Sequence, residues 1–215
     1  MNRFDGYFLF VLGWLVVFLI IPVTHQAFFG FTSDFPIIGG FIKFFLFASI
    51  GDVVSWRLIH KNYQVKGFIY KAIIWGLIGV VIVFIFEIFT QGVMAAQANG
   101  LLPFEGSVLA RAFFISLFMN FTFAPTMMLF HRLSDGYIEL KVNRVNNAFN
   151  QVINSTDYRG FITFVVFKTI PLFWLPAHTI TFILPLEYRV FFASLLGVAL
   201  GLILGLAKTV KSKEA

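Results

Sequence analysis

The stretch KTIPLFWLPAHTITFILPLEYR, Lys168–Arg189, decides how this chain is read. It lies inside an apolar region, Gly160–Lys208, that is too long for one helix across a bilayer, where about 20 residues suffice. Three prolines punctuate it. Pro171 and Pro176 remove backbone donors and clash with the preceding turn, so they are expected to bend the helix that holds them. Pro185 is the natural break, dividing the region into Gly160–Leu184 and Leu186–Lys208. Lys168 and His178 are polar groups inside this apolar run, and such groups are tolerated in lipid only beside protein or a wet cavity.

The rest of the chain has the same character. Of its 215 residues 59% are hydrophobic and 12% charged, with a mean hydropathy of +0.88. A soluble domain is about 25% charged, so the sequence predicts an integral membrane protein. Four further stretches are long enough to span: Gly6–Phe29, Ile37–Ile59, Phe68–Ala96 and Ser107–Phe130. The expectation is an all-α polytopic bundle of about six spans forming a single domain, 1–215. The first span lacks a cleavage site and reads as retained, and no Arg-rich import segment is present.

The basic residues test this partition. Arg3, Arg57, Lys61, Lys66, Lys71, Arg132, Lys141, Arg144, Arg159, Lys208, Lys211 and Lys213 fall on one side if there are six spans. By the positive-inside rule both termini are then in the cytoplasm or its topological equivalent. The net charge of +6 belongs to this asymmetry and does not indicate a nucleic-acid partner. The loop 131–159 carries Ile138, Val142, Val145, Phe149, Val152 and Ile153 at helical spacing among polar residues. It predicts an amphipathic helix on the inner interface, between spans four and five.

Polar residues within spans are the candidates for function. Asp52, Glu87, Asn120, Lys168 and His178 are read as pore-lining or gating residues, with Asp52 paired to Lys168 and Glu87 related to Arg111 directly or through water. The other reading is that they only tie helices together. Gly197, Gly201 and Gly205 form a small-residue stripe for close helix packing, against another helix of this chain or a second copy.

Nothing points to a cofactor or a resident metal. Cysteine is absent, which removes thiolate ligands and cysteine nucleophiles. His25, His60, His131 and His178 lie on separate segments without a metal-binding spacing, and no nucleophile or phosphate-loop motif occurs. His131, Arg132 and Asp135 at an inner boundary form a weak headgroup-phosphate motif.

Several motifs then resemble the Mpv–PMP family of eukaryotic peroxisomal and mitochondrial membrane proteins. Trp174-Leu-Pro176-Ala177, Phe182, Pro185 and Tyr188-Arg189 are similar to its C-terminal signature, with Leu175 inserted and Thr181-Phe182 in place of Asn-Phe. Gly51-Asp52 and Phe123-Ala124-Pro125 resemble two upstream motifs, though Met119-Asn120 replaces an Asp-Gln pair. The likeness covers about 37–208 and leaves 1–36 as an added N-terminal span. It implies a helical membrane protein for which pore activity is proposed, and places Gly51, Asp52, Asn120, Pro125, Trp174, Pro176, Tyr188 and Arg189 at motif positions.

Three functions follow. The first is a channel or pore for a small solute or ion, with the lipid bilayer as its surroundings. The second is a non-conducting structural or interaction protein. The third is a membrane enzyme acting on lipid headgroups, which the missing catalytic constellation disfavours.

Overall fold

The computed structural model describes the backbone of residues 3–214 and the side-chain surroundings of residues 5–200. Every regular element among the described residues is helical. In chain order these are α1 (Arg3–Ile20), α2 (Pro22–Asp34), α3 (Pro36–His60), α4 (Phe68–Ala98), α5 (Val108–Thr122), α6 (Ala124–Val142), α7 (Ala148–Ser155), α8 (Tyr158–Ile183) and α9 (Leu186–Glu214). Three of them, α3, α4 and α8, are long and apolar enough to cross a membrane singly. The bent pairs α1–α2 and α5–α6 qualify jointly, giving up to five crossings. Such helices support an integral membrane protein, because lipid leaves every backbone polar group to be satisfied within the helix.

Two expected spans are bent. At Ile21 the backbone is extended and Pro22 opens a new helix, turning the chain by 82°. The residue before a proline is pushed out of the helical region, and proline itself fits the first helical turn. The carbonyls released at the break find side chains, Phe18 O from the Thr24 hydroxyl and Leu19 O from His25 Nδ1. The stretch read as Gly6–Phe29 is therefore two helices. Pro125 likewise opens α6, which leaves α5 at 48°.

Pro171 behaves differently from the expected bend. From Phe161 to Trp174 the helix widens to the i→i+5 pattern, and it runs on through Pro176 as one element. A wide turn leaves room for the ring, and Thr169 Oγ1 donates to Phe164 O at 3.1 Å. Pro185 does separate α8 from α9. Leu184 is extended there, and Arg189 Nε donates to Leu184 O at 2.9 Å, closing the end of α8. Tyr188 OH lies 3.0 Å from His25 Nε2 and its ring packs on Phe29. The Tyr-Arg pair thus anchors the turn and holds α2.

The loop 131–159, expected to carry an amphipathic helix at the inner interface, holds two helical pieces. Residues 131–142 finish α6, the chain reverses through Asn143–Asn147, and α7 folds back on α6. Asn147 in the left-handed region makes the reversal, and Val152 packs against the bare backbone of Gly136. Of the apolar residues that suggested one amphipathic helix, Val152 packs into the hairpin, Ile138 and Val142 lie against Gly67, and Phe149 is exposed.

At the centre, α3 and α4 touch through glycine. A Cβ on Gly40 would lie 2.7 Å from Gly79 O, and one on Gly79 would collide with Gly40 O. Phe44, Ala48, Ile78, Ile82, Phe86, Ile115, Met119, Phe182 and Ala193 fill the core around this contact. Gly51 provides the second close approach, with Val198 of α9 against it. Gly197, expected in a packing stripe, has nothing within 4 Å of its Cβ position. Gly201 and Gly205 have surroundings that lie outside the described residues.

Replacing Gly79 by Ala should push α3 from α4 and lower stability by about 1–3 kcal/mol, the usual range for overpacking. Gly92→Ala, where a Cβ meets nothing within 4 Å, is the control. Thermal melts of both variants in detergent check this.

Candidate functional site

A cavity of about 340 Å³ lies inside the bundle. Five helices wall it: α3 with Phe44, Ala48 and Asp52, α4 with Trp75 and Ile82, α6 with Met127 and His131, α8 with Trp174 and His178, and α9 with Ser194 and Gly197. Most of this wall is apolar. Its polar groups gather at two levels, one at the end of the bundle that carries the basic loops and one near mid-depth.

The first level centres on Asp52. Its Oδ2 accepts from Trp75 Nε1 at 2.6 Å, a charge-assisted bond that the Gly40–Gly79 contact makes reachable. The Trp75 ring also rests on His131, with centroids 4.0 Å apart. One turn further along α6, Asp135 Oδ1 lies 3.9 Å from His131 Nε2, and Asp135 Oδ2 lies 3.6 Å from Lys71 Nζ. Asp52, His131 and Asp135 each bring a ligand atom within 4.8 Å of the others. Arg132 also lines the cavity at this end.

The second level is built on α5 and α8. Asn120 Nδ2 donates to Ser116 O at 2.8 Å, so its Oδ1 is the atom turned to His178 Nδ1, 3.1 Å away. A carbonyl oxygen only accepts, so Nδ1 carries the proton and Nε2 keeps a free lone pair. Ser116 Oγ donates to Leu175 O at 2.7 Å, fastening α5 to α8 at the turn that holds Pro176. Trp174 stacks on His178, and its Nε1 is buried without a hydrogen-bond partner.

Of the five candidate residues, Asp52 and His178 line the cavity and Asn120 supports His178 from behind. Lys168 and Glu87 are exposed on the outside of the bundle. Lys168 forms no ion pair with Asp52; Trp75 is Asp52's hydrogen-bond partner. Helical phase is the reason, because Lys168 turns away on α8 while its neighbours Thr169 and Ile170 are buried. Glu87 accepts from Gln91 Nε2 at 2.7 Å and makes no ion pair with Arg111 among the described residues. Both act electrostatically on Arg189, which lies close enough to feel each. Trp75 and Lys71 were not singled out from sequence as site residues. The only sequence signal for them is position, an indole and an ammonium one turn apart at the start of a long apolar helix.

The chain matches no family model, and neither the curated proteins nor the solved structures provide a match to it. The likeness to the Mpv–PMP family accordingly rests on the motifs themselves.

Asn120→Leu should leave the His178 Nδ1–H without its acceptor and destabilise the protein by about 1–3 kcal/mol. His178→Phe added to it should recover part of that loss, because the unpaired donor is then gone. Non-additivity in a double-mutant cycle of melting curves checks the pairing.

Proposed function

We propose that this chain is a membrane protein providing a path for small solutes, with the cavity between α3, α4, α6, α8 and α9 as the station where the solute rests. One observation carries the reading: a cavity of about 340 Å³ within a bundle of membrane-length apolar helices, with a mostly apolar wall and a few polar side chains on it. Sites for small organic molecules are mostly apolar with a few placed polar groups. An unhydrated ion would find too few oxygens on this wall, so an organic solute with an apolar body fits better than a bare ion. Asp52, His131 and Arg132 meet it at one end. The His178 lone pair and the Trp174 indole N–H meet it at the other, one accepting and one donating.

In this reading the chain crosses six times, with α9 as the last crossing, both termini in the cytoplasm and the inner membrane of a bacterium as the site. The basic loops on one side support that orientation. A distant kinship with the Mpv–PMP family agrees with it, through Gly51-Asp52, Phe123-Ala124-Pro125 and the Trp174–Arg189 motifs.

Two measurements test the proposal. Because the sequence has no cysteine, single cysteines at Asn62, Asn99 and Ser212 report topology through a membrane-impermeant thiol reagent. Labelling of Asn62→Cys and Ser212→Cys from the cytoplasmic face, and of Asn99→Cys from the opposite face, is expected. Residues 62 and 212 on opposite faces would refute six crossings. For transport, proteoliposomes should release small organic solutes faster than empty vesicles. Gly197→Leu, at a cavity-lining position where an added Cβ meets nothing within 4 Å, should slow that release about tenfold, a loss corresponding to about 1.4 kcal/mol. Wild-type vesicles as tight as empty ones across a solute series would end the proposal.

A further inference from the structure

The cluster at the basic end of the cavity has a chemistry that solute passage does not require. Asp52 comes from α3, and His131 and Asp135 come from adjacent turns of α6. Each carboxylate has one oxygen engaged by a donor behind it, Asp52 Oδ2 by Trp75 Nε1 and Asp135 Oδ2 by Lys71 Nζ. Two of the remaining ligand atoms lie unpartnered beside each other. Asp135 Oδ1 and His131 Nε2 are both shut off from solvent without a hydrogen-bond partner. They stand 3.9 Å apart, beyond hydrogen-bond reach. Two atoms that each bind a metal at about 2.0–2.2 Å are held at separations of this order.

We propose that Asp52, His131 and Asp135 form a binding site for one divalent transition-metal ion at the basic end of the cavity. The donor set is two carboxylate oxygens and one imidazole nitrogen, which suits Zn²⁺ or Mn²⁺. Trp75 and Lys71 are the positioning residues. The indole N–H and the ammonium orient the two carboxylates, and the Trp75 ring fixes the His131 plane, the supporting role that outer partners of metal ligands play. The charge balance agrees. Two carboxylates among apolar helices share one ammonium, Lys71, and repel each other within a few ångströms. A divalent ion between them turns that repulsion into attraction. Asp52 and His131 line the cavity, so the ion's remaining positions open onto it and are filled by water or by an occupant. Sequence spacing hides the site, because Asp52 stands on a different helix, far along the chain from the His131–Asp135 pair.

The site is independent of whether the chain moves solutes, and its test reads metal alone. Full-length protein is purified in detergent with a histidine-free affinity tag and stripped with a chelator. Titration with Co²⁺ should give a visible absorption band saturating at one ion per chain and erased by Zn²⁺. His131→Gln and Asp135→Asn should each weaken Zn²⁺ binding about tenfold or more, while His60→Gln, remote from the cluster, should leave it unchanged. If His131→Gln and Asp135→Asn fail to fold, Asp135→Glu keeps the charge and should shift the Co²⁺ band. Absence of a saturable Co²⁺ band in the wild-type protein, or binding unaltered by the ligand substitutions, would overturn the proposal and leave a proton-sharing carboxylate cluster in its place.

Discussion

The contact on which the other features depend is the meeting of two bare backbones, Gly40 of α3 and Gly79 of α4. In lipid, apolar surface gains little from turning inward, so helices associate where small residues allow many close contacts. This contact sets the spacing of α3 and α4, and the spacing sets what their polar residues can reach. Trp75 stands one turn from Gly79 and bonds to Asp52 across the same interface. An α-helix gains 100° per residue, so positions eight apart should diverge by about 80°. The wide turn at Phe44–Ala48 winds more slowly and keeps Phe44, Ala48 and Asp52 on one wall of the cavity. A glycine pair and a wide turn together deliver a carboxylate to an indole.

Prolines divide the work differently from what their spacing suggests. A missing N–H can be placed in the first turn of a new helix or absorbed by a wider one. Pro22 and Pro125 take the first course and bend the chain. Pro171 takes the second, with the Thr169 hydroxyl helping to satisfy the loosened turn. The choice depends on neighbours in space, such as Ser116 on α5 bonding Leu175 O, and these are not neighbours in sequence. The apolar segments and the break at Pro185 were therefore legible. The sharp bends within the segments Gly6–Phe29 and Ser107–Phe130, and the widened turns that carry the helix through Pro171, were not.

The site divides along the same line. Composition marks every polar residue in an apolar helix as unusual, and that logic finds Asp52, Asn120 and His178. It cannot say which way a side chain turns when the helix is apolar on every side. On α8 the residues flanking Lys168 are all apolar or small, so no stripe of polar positions declares the phase. The fold turns Lys168 outward and His178 inward on the same helix. In α6, by contrast, His131 and Asp135 are spaced by one turn, and the spacing itself predicts a shared face. What was missing there was the partner helix, and with it Asp52, Trp75 and Lys71.

Both polar levels of the cavity follow one electrostatic rule. A polar side chain in an apolar bundle is held by a partner on another helix, and the atom left over faces the cavity. At mid-depth Asn120 takes the His178 N–H and leaves Nε2 free. At the basic end Trp75 and Lys71 each take one carboxylate oxygen. A purely structural tie would consume all of its polar atoms, since any left unpaired in low dielectric weaken the fold. Of the buried polar atoms left without a partner, His131 Nε2 and Trp174 Nε1 belong to side chains that line the cavity and Asp135 Oδ1 adjoins His131, whereas Ser49 Oγ and Arg111 Nε lie elsewhere. A bundle stabilised only for packing would gain by replacing the three near the cavity with apolar groups, and a polar occupant, as proposed, would instead give each of them a partner.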